Sequence, residues 1–191
     1  MKNVYEYKAV SRLNMLDPRL RLLHKLNTFA VIAIVLSCLI GAVLNYCLRM
    51  LGEAFGMYIV YILCGVVLCL IYPYVHEYAH AFAILITTGK APKIRFEKLA
   101  AYCGSPDIMF NKAQYFFGAS FPFIFYNAAL IPLCVLLPPI YFPLPFMPLM
   151  YNVFGSVADF IMIIRVARSP FRSIIVDGGT DIVIYIPVDK K

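Results

Sequence analysis

Charge is what this sequence has least of. Asp, Glu, Lys and Arg make up 14% of its 191 residues and hydrophobic residues 62%, where a soluble domain carries about a quarter charged and roughly half apolar residues. A chain of this length cannot turn so much apolar surface inward. With a mean hydropathy of +0.80, the surplus has no partner except lipid, which excludes an ordinary water-soluble domain. Acidic residues are especially few, 10 against 17 basic ones, for a formal net charge of +7. The basic residues flank apolar runs instead of forming a face on a soluble module, so no nucleic-acid partner is expected. Cysteine is present without the spacings that give it chemistry. Cys38, Cys47, Cys64, Cys69, Cys103 and Cys134 include no C-x-x-C pair, and five of the six fall in apolar runs. A disulfide framework and a cysteine zinc site are therefore both unsupported, and the six read as small buried hydrophobes.

The apolar runs themselves are long. No charged residue lies between Lys25 and Arg49, and Thr28 to Leu48 supplies the roughly 20 apolar positions a helix needs to cross a bilayer. That run is too long for a signal-peptide core and lacks a small-x-small cleavage site, so it reads as an uncleaved span. A second run extends from Met57 through Thr88, interrupted by His76, Glu77 and His80 and stopped by Gly89 and Pro92. From Ala113 to Ile164 the only charged residue is Asp159. Pro138, Pro139, Pro143, Pro145 and Pro148 divide this stretch, since each proline removes a donor and clashes with the preceding turn. Spans three and four are predicted over Gln114 to Leu137 and Leu149 to Ile164. The fold class expected is an all-α polytopic membrane protein, a single membrane-embedded domain over 1–191 with about four transmembrane helices, a cytoplasmic tail over 165–191 and a small cytoplasmic β element. The β element comes from Lys93 to Glu97, which alternates apolar and charged residues. It is joined by Ser173 to Ile186, two β-branched runs around a glycine turn to which Asp177 and Asp181 belong.

Counting Lys and Arg near the span ends sets the orientation. Lys2, Lys8, Arg12, Arg19, Arg21 and Lys25 precede the first span, while Arg49 alone follows it. Lys90, Lys93, Arg95, Lys98 and Lys112 lie between spans two and three, none lies in the proline loop, and Arg165, Arg168, Arg172, Lys190 and Lys191 follow span four. Both termini are expected to be cytoplasmic, with the basic segments against an anionic inner leaflet. His24 falls among the arm's basic residues and reads as interfacial.

The chemistry is carried by His76-Glu77-Tyr78-Ala79-His80. On a helix advancing about 100° per residue, His76 and His80 share one face a turn apart, so two imidazoles can reach one tetrahedral ion. Glu77 projects to the same side, where it can hold the attacking water and take its proton. The chain has only three histidines, and ionisable groups within a span cost about 2.5–3.5 kcal/mol each on insertion scales, which argues against a chance cluster. A catalytic zinc normally has three protein ligands. Asp159 is the only other acidic residue inside a span. It precedes Arg165 by six residues and His80 precedes Gly89 by nine, so at about 1.5 Å per residue both lie on the order of 10 Å inside the same boundary. Asp159 is therefore the expected third ligand; a pairing with Arg165 or a position facing a water-filled gap is the other reading of this residue. Tyr72, Tyr74 and Tyr78 line the site or belong to an interfacial aromatic belt.

H-E-Y-A-H in one membrane helix, followed about eighty residues on by Asn152-x-x-Gly155-Ser156-x-x-Asp159 in another, resembles the site-2 protease superfamily, and in particular its small bacterial zincin-peptidase branch. The resemblance covers roughly spans two to four. It implies that His76, His80 and Asp159 hold zinc, that Glu77 is the catalytic base, and that the protein resides in a bacterial cell membrane. Asn127, Asn152 and Ser156 either contact substrate or water at the site or join helices together. The function expected is zinc-dependent hydrolysis of peptide bonds in membrane-associated protein or peptide substrates. A zinc hydrolase of a non-protein substrate would use the same residues. A scaffold or divalent-metal carrier could keep the ligands without hydrolysis, but would have no use for Glu77.

Overall fold

A computed structural model describes residues 6–14, 32, 36, 54–97 and 100–188; most of the predicted Thr28 to Leu48 span lies outside these residues. The second apolar run closes as one helix, α1 (Ala54–Thr88), which continues through Pro73. In an apolar surrounding a single segment satisfies its own backbone only as a helix. Gly89 ends it at φ 69, in the left-handed region where glycine carries no Cβ penalty, with its N–H donated to Leu85 O at 2.8 Å. Of the carbonyls left over in the last turn, that of Thr87 accepts from Gln114 Nε2 at 3.1 Å.

The chain then forms β2 (Lys93–Glu97) and β3 (Ala100–Phe110), followed by α2 (Lys112–Leu136), a 3-10 turn (Pro139–Tyr141), α3 (Pro143–Gly155) and α4 (Val157–Ala167). It closes with β4 (Ile174–Asp177) and β5 (Asp181–Val188), and β1 (Glu6–Asn14) precedes them all. The strands make one antiparallel sheet in the order β1-β5-β4-β3-β2.

This sheet overturns the expected all-α architecture with about four membrane helices. The β element is five strands, not a strand and a hairpin, because β3 and the arm strand β1 join it. Among the described residues, three helical segments are long and apolar enough to cross a membrane: Gly56–Thr88, Lys112–Leu136 and Pro143–Ala167. The prolines also behave otherwise than predicted, for a regular helix begins among them at Pro143. The first four N–H groups of a helix have no partner within it, so Pro143 and Pro145 remove nothing, and only Pro148 takes out a bond.

The described residues fall into two compact units. One comprises β1, Glu77–Pro122 and Val157–Lys191; the other comprises α1 as far as His76 together with Phe123–Ser156. In the first, Phe110, Ile175 and Ile182 from the sheet and Met162 and Val166 from α4 form a fully buried core, with Ile84 and Tyr115 beside them. At about 25 cal/mol per Å² of apolar surface removed from water, this core fixes the sheet against the helix ends that carry the site. In the second, Met147 of α3 is buried, with Ile62 and Cys69 of α1 and Met150 packed on it.

Candidate metal centre

His80 and Asp159 face each other. His80 is buried in α1, and its Nδ1 lies 2.9 Å from Gly118 O. A carbonyl can only accept, so in the neutral ring the proton sits on Nδ1 and Nε2 keeps its lone pair. That Nε2 is 3.5 Å from Asp159 Oδ1. Asp159 stands in the first turn of α4, where the unpaired N–H groups of a helix favour a carboxylate.

His76 is oriented by a parallel device. Its Nδ1 lies 2.9 Å from the Tyr72 hydroxyl, one turn back on α1, and that hydroxyl donates in turn to Asn152 Oδ1. Asn152 Nδ2 donates to Phe123 O at 3.3 Å, which settles which end of the amide is the oxygen. With its own proton committed to Asn152, the Tyr72 oxygen accepts the Nδ1 proton of His76, so this imidazole too keeps an unprotonated Nε2. Such outer partners hold a ligand ring in place and commonly account for about 10–100-fold in metal affinity. Tyr72→Phe removes the relay and little else, and is expected to weaken zinc binding to His76 within that range. Competition against a chromophoric chelator measures it; an unchanged affinity would show that Tyr72 does not orient the ligand.

α1 is continuous, so the helix itself sets the spacing of His76 and His80. His76, His80 and Asp159 each offer one ligand atom, and these atoms all lie within 4.8 Å of one another. Tetrahedral zinc with bonds of about 2.0–2.1 Å places neighbouring ligand atoms about 3.4 Å apart, close to the His80–Asp159 separation. Two imidazoles presented as free Nε2 and one carboxylate form a donor set that fits zinc and leaves a fourth position open.

Glu77 is placed differently. Its Oε2 accepts the backbone N–H of Cys103, on β3, at 2.7 Å. Burial pushes the carboxyl of Asp177, on β4, up to about 6, against the Gly179 N–H, which favours the ionised form. Burial likewise raises the Cys103 thiol, and the charges of Glu77 and Asp177 add to the effect.

Of the other residues singled out in the sequence, Asn152 and Ser156 are fully buried, with the Ser156 hydroxyl 3.4 Å from Asn152 Oδ1. Asn152 is linked to His76 through the Tyr72 hydroxyl. Asn127 bonds to Phe123 O of its own helix at 2.7 Å, and the Tyr78 ring is exposed. Asp181 receives Arg12 Nε at 3.1 Å, joining β5 to β1. Sequence reasoning missed Gly118 O and the Cys103 N–H, which as backbone groups leave no signal in side-chain identity. The role of Tyr72 had one, its position four residues before His76.

A helix-borne H-E-x-x-H with a carboxylate beside its second histidine marks a zinc peptidase of the zincin class. Residues 68–174 match the family model described as "Putative zincin peptidase", a stretch of more than half the chain that contains His76, Glu77, His80 and Asp159. The chain belongs to this zincin peptidase family. No curated protein and no solved structure matches it.

Proposed function

We propose that this zincin peptidase is an intramembrane metalloprotease of the site-2 protease type, cleaving peptide bonds of membrane-associated protein or peptide substrates. The observation that carries the reading is the place of the His76, His80 and Asp159 group: both histidines and Glu77 stand inside Gly56–Thr88, a helix apolar enough to cross a bilayer. A soluble zincin has no need to set its ligands in such a segment, where ionisable groups are costly.

Zinc held by His76, His80 and Asp159 would supply Lewis acidity to the scissile carbonyl and make water a better nucleophile. Glu77 takes a proton from the attacking water as its oxygen adds to the carbonyl carbon, and delivers it to the amine nitrogen as the C–N bond breaks. It ends ionised, ready for the next turnover. A substrate helix must unwind locally before its amides can be reached, and β2, which among the described residues has β3 as its sole strand neighbour, offers an edge on which an extended segment can lie. The proposed topology keeps both termini cytoplasmic. In its favour, β1 and β5 hydrogen-bond to each other in one sheet, which supports a common side for the two segments.

Metal analysis of the purified protein tests the site, with one zinc per chain expected. The His76→Ala, His80→Ala double variant should lose it, and equal zinc content in the two proteins would remove the basis of the proposal.

A further inference from the structure

The Glu77 carboxylate is held from the sheet. Cys103, whose N–H it accepts, lies on a stretch of β3 that among the described residues has a strand on one side only: Ile94 of β2 is its partner, whereas β4 meets β3 from Ser105 onward. Glu77 thus takes the place a neighbouring strand would fill. The next residue, Gly104, lies against the turn between β4 and β5. A Cβ there would stand 2.6 Å from Gly178 O and 2.9 Å from Gly179 N. Backbone therefore touches backbone, with no flexible side chain to absorb a shift.

The turn is braced in its own right. Gly178 N–H donates to Asp181 O at 2.8 Å, and Gly179 N–H donates to Asp177 Oδ1 at 2.8 Å. Gly179 sits at φ 92, a conformation glycine adopts without strain. Asp177, the turn, Gly104, Cys103 and Glu77 form one chain of contacts within a single compact unit.

We infer that the Asp177–Gly179 turn is a positioning element for Glu77: through Gly104 and the Cys103 amide it fixes Oε2, so that Oε1 is the oxygen that exchanges the proton. This rests on the proposed role of Glu77 as base. A carboxylate with one oxygen pinned to a strand loses most of its freedom, and a misplacement of about 1 Å at a reacting group can cost about 10²-fold in rate.

The test is read first without metal or substrate. In protein labelled with 15N-cysteine, the amide resonance absent from the Cys103→Ser variant belongs to Cys103. A charge-assisted bond to Glu77 shifts that proton downfield, and Glu77→Gln should move it upfield. Asp177→Ala, which leaves the Gly179 N–H without its acceptor, should move it the same way, while Asp177→Asn, which retains an acceptor, should keep it near the wild-type position. With zinc restored and a quenched fluorescent apolar-helix peptide as probe, Asp177→Ala should lower kcat by about 10–100-fold at unchanged KM and zinc content, and Asp177→Asn should recover it. Gly104→Ala displaces the strand from its other side and serves if Asp177→Ala does not fold. A Cys103 resonance that stays put in Asp177→Ala, or an Asp177→Asn protein as impaired as Asp177→Ala, overturns the inference. A wild type that binds zinc and hydrolyses nothing defeats the role of Glu77 as base, while the resonance still decides whether the turn holds it.

Discussion

Glu77→Gln should retain one zinc per chain and lose hydrolysis. The two side chains have nearly the same shape, and the glutamine oxygen can still accept the Cys103 N–H, so the three candidate ligands are left as they are. What disappears is the ability to take a proton from the attacking water and hand it to the leaving amine. Positioned general bases contribute about 10²–10⁴-fold, and a drop of that size is expected in the rate at which a helical peptide probe is cut, with metal content by elemental analysis as the control. A scaffold or metal carrier would be indifferent to the change. Cleavage at the wild-type rate would show that another group moves the proton.

Asp159→Asn should fail in the opposite order, losing the metal first and hydrolysis as a result. The carboxylate faces His80 Nε2 at 3.5 Å, and it is the only charged donor in the group of three. An amide oxygen can still point at the ion, but contributes no negative charge to offset its two positive ones. The loss in zinc affinity should exceed the roughly 10–100-fold that follows removal of an outer-shell partner. Zinc content after dialysis against a weak chelator separates the cases: depleted in Asp159→Asn, intact in Glu77→Gln. An Asp159→Asn protein that holds zinc like the wild type would show that the third ligand is another residue.

The candidate site was legible because its side chains are chemically conspicuous where they stand. His76, Glu77 and His80 interrupt an apolar run, and Asp159 is the only charge in another. Helices were legible for a related reason, since a helix closes its hydrogen bonds within one segment and writes its length into the hydropathy. Strands close theirs with partners elsewhere. β3 reads Ala-Ala-Tyr-Cys-Gly-Ser-Pro-Asp-Ile-Met-Phe, with a glycine, a proline and no alternation, and its register shifts between Ser105 and Met109. β1 read as a basic arm, because what makes it a strand is β5, with Glu6 opposite Val188. Lys93 to Glu97 and the tail hairpin showed alternation or a turn, and so were visible alone. The relays behind the ligands were hidden for the same physical reason as the sheet. Gly118 O and the Cys103 N–H act as backbone, and only the folded chain brings them to His80 and Glu77.

The strand order also dictates when this protein can finish folding. β5 lies between β1 and β4, so the strand that follows every described helix in the sequence is the one that joins the strand preceding them to the rest. Until β5 has left the ribosome, β1 lacks the strand it pairs with, and β4 carries a raw edge. Closing a loop of that length is slow compared with forming a helix, so the helices are in place before the sheet is. The turn that rests on Gly104 arrives with β5. A nascent chain would therefore display its histidines and Asp159 while the strand that grips Glu77 is still unbraced, and a product truncated ahead of Asp181 would stay in that condition, with Glu77 not yet held in place.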